Sequence, residues 1–250
     1  MTFHRARPQG LAMRVRTFGL LSAAIALTAC GTDEVGPTGV EPNQPTGRIR
    51  FVHAISGTTA VNVAVDGVPL GVSLAYAASA PAPPTLYYPA YAGNRQFAVR
   101  RTADTTAHLL DAAVPVAANT DHTVIAVGSA TTATALVLAD NNTAPTASNV
   151  KIRAVNAATA AGTVDVYVTA PGADILAIPP TFAALAPRTA SAYLERGAGA
   201  IQVRFTTAGT KTVVRDVSLG TLATGAIRTV VLLEAAAGGT PLTSAVLTDR

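Results

Sequence analysis

The chain has 250 residues, 49 % of them apolar and 13 % charged, with a single cysteine and no tryptophan. That balance excludes a largely disordered protein, and one cysteine excludes both an internal disulfide framework and cysteine-rich zinc motifs. The formal charge of +4 rests on Arg5, Arg7, Arg14 and Arg16; with everything before Cys30 removed, 14 basic residues face 14 acidic ones, and no Lys or Arg run is left to bind nucleic acid.

Residues 14–30 read as a charged segment, a short apolar stretch from Thr17 to Leu27, and a small-residue site at Thr28-Ala29-Cys30-Gly31. The apolar stretch is well short of the roughly 20 residues that span a bilayer, so a signal peptide over 1–29 is expected and a permanent transmembrane anchor is not. Leu27-Thr28-Ala29-Cys30 resembles the lipobox of bacterial lipoproteins. That resemblance implies lipidation of Cys30 and, with Gly31 rather than an acid following it, a cell-envelope protein of the outer membrane, periplasmic or surface-exposed. The membrane is then its first partner, through the lipid. Residues 31–47 are rich in Gly and Pro without an apolar period, so 30–47 is read as a lipidated, flexible tether.

An internal repeat follows. Arg48-Ile49-Arg50-Phe51-Val52-His53-Ala54 aligns with Lys151-Ile152-Arg153-Ala154-Val155-Asn156-Ala157, and Val61-Asn62-Val63-Ala64-Val65 with Val164-Asp165-Val166-Tyr167-Val168 at the same offset of 103. Asp121–Val127 aligns with Ile227–Leu233, and Leu136–Asp140 with Ala245–Asp249. Two domains are expected, 48–146 and 147–250, joined by a linker within 141–149. Val61, Val63 and Val65 alternate with polar or small residues, as do Val164, Val166 and Val168, which predicts strands with one buried face. Asp66-Gly67 predicts a hairpin turn directly after the first of these. Further strands are expected at 85–91, 95–101, 107–114, 121–128 and 134–140, and again at 189–195, 200–206, 211–219, 226–234 and 242–248. Short strands in this number predict an all-β chain of two tandem immunoglobulin-like β-sandwich domains; the spacing also permits a small barrel. The alanine-rich stretches 74–82 and 183–186 are candidates for short helical turns.

The paired motifs Ile49-Arg50-Phe51-Val52-His53-Ala54 with Val61-Asn62-Val63-Ala64-Val65-Asp66-Gly67, and Ile152-Arg153-Ala154-Val155-Asn156-Ala157 with Val164–Val168, resemble the bacterial family known as domain of unknown function 4397. The resemblance implies secreted or lipid-anchored β-rich envelope proteins and supplies no activity. The family's His and Asp never occur together here: one copy has His53 with Asn62, the other Asn156 with Asp165. A catalytic pair needs both, whereas a hydrogen bond needs one donor and one acceptor. His53 with Asn62 and Asn156 with Asp165 are therefore read as a structural polar pair between adjacent strands.

Arg50 and Arg153 recur at one strand position; a sheet-bracing or solvent-facing role is favoured over anion binding. Tyr87, Tyr88 and Tyr91, with Arg95 close by, form the best local candidate for a ligand platform, against the plainer reading that the tyrosines fill a core. No nucleophile, phosphate-loop or metal motif stands out in the sequence. The expected role is a non-enzymatic structural or adhesive envelope module without cofactor or metal, contacting envelope proteins or glycans. A glycan- or peptide-binding lipoprotein is the alternative, and a hydrolase the third reading.

Overall fold

The computed structural model describes Met1, Thr2 and residues 44–250; residues 44–250 lie within one compact unit, Glu34–Arg250. Cys30, the leader beyond Thr2 and most of the tether lie outside the described residues. The described chain is all-β, and its four sheets make two sandwiches.

The first sandwich comprises β1 (Thr46–Ser56), β2 (Ala60–Val65), β3 (Val68–Ala75), β4 (Ser79–Ala80), β5 (Tyr88–Tyr91), β6 (Gly93–Arg101), β7 (His108–Val116), β8 (Asp121–Ser129) and β9 (Thr134–Asp140). The second comprises β10 (Asn149–Asn156), β11 (Val164–Thr169), β12 (Phe182–Leu185), β13 (Thr189–Ala190), β14 (Leu194–Gly197), β15 (Gly199–Thr207), β16 (Val213–Leu222), β17 (Ile227–Leu233) and β18 (Thr243–Thr248). One sheet of the first runs β4-β1-β8-β9 with β5 also on β1; its counterpart runs β13-β10-β17-β18 with β14 on β10. The facing sheets are β3-β2-β6-β7 and β12-β11-β15-β16. The two orders match strand for strand. Each sandwich departs from wholly antiparallel pairing once: β1 runs parallel to β8, and β10 parallel to β17.

Local sequence explains most of this. In β2, Val61, Val63 and Val65 are buried while their neighbours are not, so this sheet has one wet face. Asp66 and Gly67 carry positive φ of 49° and 83°, the pair of left-handed residues a tight two-residue hairpin requires. By contrast β1, β8, β10 and β17 are buried along nearly their whole length, so both faces of their sheets are covered. The alanine-rich stretches do not turn into helix. Residues 79–80 form β4 on β1, and 182–185 form β12 on β11. Sheet pairing outweighs alanine's modest helix preference. Among the described residues, one 3₁₀ turn is found, at Thr159–Ala161.

Three cores result. One fills the first sandwich around Phe51, Phe97 and Val124, and a second fills the other around Ile152, Phe205 and Val230. The third lies between sandwiches: Val52, Ala54, Ile125, Val127 and Leu138 from the first with Val155, Ala157, Val231, Leu233, Ala245 and Leu247 from the second.

Candidate functional site

Among the described residues, four buried charged side chains and two tyrosines gather beside that third core. Arg50 on β1 is 2 % exposed, and its Nη2 donates to Asp249 Oδ1 of the other sandwich at 2.6 Å. Its Nη1 donates to the Thr248 carbonyl at 2.8 Å, and Nε and Nη2 both reach Thr123 Oγ1. Arg153, at the equivalent place on β10, mirrors this: Nη2 donates to Asp140 Oδ1 at 2.5 Å, Nη1 to the Ala139 carbonyl, and Nε and Nη2 to Thr229 Oγ1. Thr123 in turn donates to Asp140, and Thr229 to Asp249. Arg50 lies over the Tyr87 ring and Arg153 over the Tyr193 ring. Each arginine thus leaves its own sheet and seizes the carboxylate at the end of the opposite sandwich's last strand.

Parallel pairing creates this geometry. It sets Arg50 opposite Thr123 and Arg153 opposite Thr229, so each threonine hydroxyl braces the guanidinium beside it and passes a hydrogen bond to its own sandwich's aspartate. Asp140 also accepts from the Tyr87 hydroxyl at 2.8 Å. Burial pushes the Asp249 carboxyl above the usual carboxylate range, with Arg50 and Thr229 pulling it back. Burial, then the nearby carboxylates, raises the Tyr87 and Tyr193 phenols, so both stay protonated donors. A buried charge pair of this kind costs several kcal/mol per ion to desolvate and is repaid only with good hydrogen bonding; here every guanidinium nitrogen of both arginines has an acceptor.

The junction is fastened at its other end too. The Gly57 amide donates to the Ala236 carbonyl at 2.8 Å, and the Tyr76 hydroxyl to the Glu234 carbonyl at 3.0 Å. The linker is pinned as well: Lys151 Nζ donates to the carbonyl and hydroxyl of Thr143, both at 2.8 Å.

His53 and Asn62 do not form the expected pair, nor do Asn156 and Asp165. β1 and β2 belong to opposing sheets, as do β10 and β11, so residues close in sequence point to different partners. Each residue bonds nearby backbone instead. His53 Nδ1 accepts the Ile55 amide, and Nε2 meets Thr58 Oγ1 at 3.1 Å. Asn156 Oδ1 accepts the Ala158 amide, and Nδ2 donates to the Gly162 and Leu185 carbonyls. Both side chains therefore cap the amide two residues on, which is why His and Asn interchange. Burial lowers the His53 pKa to about 4, so it is neutral. Asn62 Oδ1 accepts the Ser73 amide and Asp165 Oδ1 the Ala184 amide. Ser73 and Ala184 are left-handed residues, with φ of 51° and 52°, on the strand beside each bulge. The four polar residues are two kinds of backbone clamp, each used twice.

The proposed tyrosine platform is not assembled. Tyr87 is buried at the junction, Tyr88 packs on the first sandwich's core, Tyr91 lies half-buried opposite Thr46, and Arg95 pairs with Asp66 at 3.1 Å. Neither Arg50 nor Arg153 is solvent-facing. A polar cleft of about 720 Å³ opens instead at the end of the first sandwich, lined by residues including Arg48, Asn119, Asp121, Asn142 and Thr143. There Arg48 grips Asp121 with two bonds of 2.6 Å, and Asn142 Nδ2 donates to the same carboxylate. Among the described residues, no group of three or more His, Cys, Asp or Glu is placed to hold a metal ion, and no helix is long and apolar enough to cross a membrane.

Comparison with known proteins matches part of the chain. A domain of the family described as "Domain of unknown function (DUF4397)" is found at residues 47–167. The match covers the first sandwich from Gly47 onward and continues through β10 into β11, so it takes in Arg50, Asp140 and Arg153. No curated protein matches the chain. Among solved structures, the chain is similar to the crystal structure of CBMbc (family CBM26) from Eubacterium rectale Amy13K in complex with maltoheptaose. There the identity is 9 %, 82 % of this chain and 97 % of that one are covered, and the TM-score is 0.27. A likeness so slight says nothing of what this chain binds.

Proposed function

We propose that this chain is a lipid-anchored envelope protein whose two sandwiches, copies of one domain, act together as a rigid, non-catalytic interaction module. The observation that carries this reading is the reciprocal Arg50–Asp249 and Arg153–Asp140 exchange. The most concentrated set of buried ionisable side chains is spent on fastening sandwich to sandwich. The leader ending in Cys30 supports delivery to the cell exterior, with Gly31 favouring the outer membrane. Several acyl chains, each contributing about 0.8 kcal/mol per buried methylene, hold such a protein to a bilayer.

The test is metabolic labelling with an alkyne fatty acid, followed by crosslinking and pull-down from the native envelope. Label on the wild-type chain and none on Cys30→Ala is expected, with discrete envelope components captured. An unlabelled, freely soluble wild-type product would overturn the reading. The polar cleft favours a second reading, a glycan- or peptide-binding lipoprotein. Titration of cell-wall glycan fragments against wild type and Arg48→Ala separates the two, since saturable binding lost in the variant would establish it.

A further inference from the structure

The junction has an internal two-fold relation. Its apolar half is built of positions that correspond between sandwiches: Val52 with Val155, Ala54 with Ala157, Ile125 with Val231, Val127 with Leu233, and Leu138 with Leu247. Its polar half repeats the rule, Arg50 to Asp249 in one direction and Arg153 to Asp140 in the other. A contact in which residue i meets j and j's equivalent meets i's is the isologous interface of a symmetric dimer. Here the two halves belong to one chain. Nothing in such a face encodes which chain supplies its partner; only the segment 141–148 does so, by holding the partner close. Short flexible tethers give effective concentrations in the millimolar range, so the closed monomer prevails in dilute solution. Chains anchored side by side on a membrane are crowded in two dimensions and approach that limit.

From this we infer that the face is also an intermolecular interface, and that its partner is a second copy of this chain. Two chains exchange sandwiches, the first sandwich of each docking on the second of the other. The exchanged dimer makes the same contacts as two monomers and exposes no new apolar surface. It needs release of the junction and of the linker's bonds to Lys151 and Glu195, while each sandwich keeps its own core. Such exchange would tie neighbouring anchored chains together. The exchange itself is independent of which envelope component the module contacts; its prevalence at a membrane rests on the lipid anchoring proposed above.

Charge reversal in two full-length chains tests it. Arg50→Asp breaks the junction in one chain and Asp249→Arg breaks the same bond in the other. In an exchanged heterodimer one junction is wild type and the other carries the reversed pair. Light scattering coupled to size exclusion should find each variant monomeric alone, and the equimolar mixture at least tenfold enriched in dimer. A mixture that stays monomeric, while the single-chain double variant Arg50→Asp/Asp249→Arg recovers the wild-type melting temperature, overturns the inference. So does a dimer formed by Asp249→Arg alone, which would mean that first sandwiches pair with each other. If the reversed pair is not accommodated even within one chain, refolding of the wild-type chain over a concentration series decides. A dimer share rising with concentration supports exchange, and monomer at every concentration overturns it.

Discussion

Replacing Asp249 with Asn leaves the Arg50 guanidinium in place and removes the charge it was buried against. Arg50 would keep the Thr248 carbonyl, Thr123 Oγ1 and a more distant carboxylate, Asp140, at 3.6 Å. Breaking one side of a buried pair costs about 3–5 kcal/mol; with those residual partners the lower end, about 3 kcal/mol, is expected. For a unit of this size each kcal/mol moves the melting temperature by about 2–4 °C, so a fall of roughly 6–12 °C follows for the junction. Guanidinium titration with circular dichroism, alongside thermal melts, measures both. Asp140→Asn should behave alike, because Arg153 depends on Asp140 as Arg50 does on Asp249. Replacing both partners, Arg50→Met with Asp249→Leu, strands no buried charge and leaves only the Thr229 and Tyr193 hydroxyls and the Thr248 carbonyl short of a partner, so it should cost less than Asp249→Asn alone. Unchanged melts for both single variants would refute the claim that these pairs hold the sandwiches together.

His53 supplies a pH prediction. Burial depresses its folded pKa to about 4 from 6.5, so the stability it contributes is full above pH 6.5 and is lost as pH falls through 4, by about 3 kcal/mol in total. His53→Asn, the residue its counterpart Asn156 already uses, should flatten that part of the stability–pH curve; an unaltered curve would argue against the cap. Asp165→Ala strands the amides of Ala184 and Gly209 and should cost about 2 kcal/mol by denaturant titration. At Gly47 an added Cβ would lie 2.4 Å from the Ala117 carbonyl oxygen and 3.0 Å from that of Thr120, so Gly47→Ala should destabilise by about 1–3 kcal/mol, and a neutral melt would contradict the packing described.

Much of the fold was legible because alternation has a direct physical meaning. Val61, Val63 and Val65 announced a one-sided strand, and Asp66-Gly67 announced its turn. The alanine-rich edges were not, because β4 and β12 are short and owe their form to the neighbours they pair with. The junction was half visible. Runs such as Val230–Leu233 are too continuous for a one-faced sheet, and Arg and Asp recur at matching positions in both halves. What the sequence does not carry is direction: Arg50 with Asp140 and Arg153 with Asp249 would satisfy the same pattern within each sandwich. Only packing the two sheets face to face sends each arginine across. The polar pairs failed for a related reason, because strands adjacent in the chain lie in opposite sheets.

The proposed rigidity of the junction is tested most directly by a distance. Val72 and Leu176 are each 71 % exposed, one on each sandwich. With Cys30 replaced, Val72→Cys and Leu176→Cys give a doubly spin-labelled chain for pulsed dipolar spectroscopy in dilute solution. A single narrow distance distribution is expected, broadening when Arg50 and Arg153 are both changed to Ala. A broad distribution in the chain that retains both arginines would show that the sandwiches move independently.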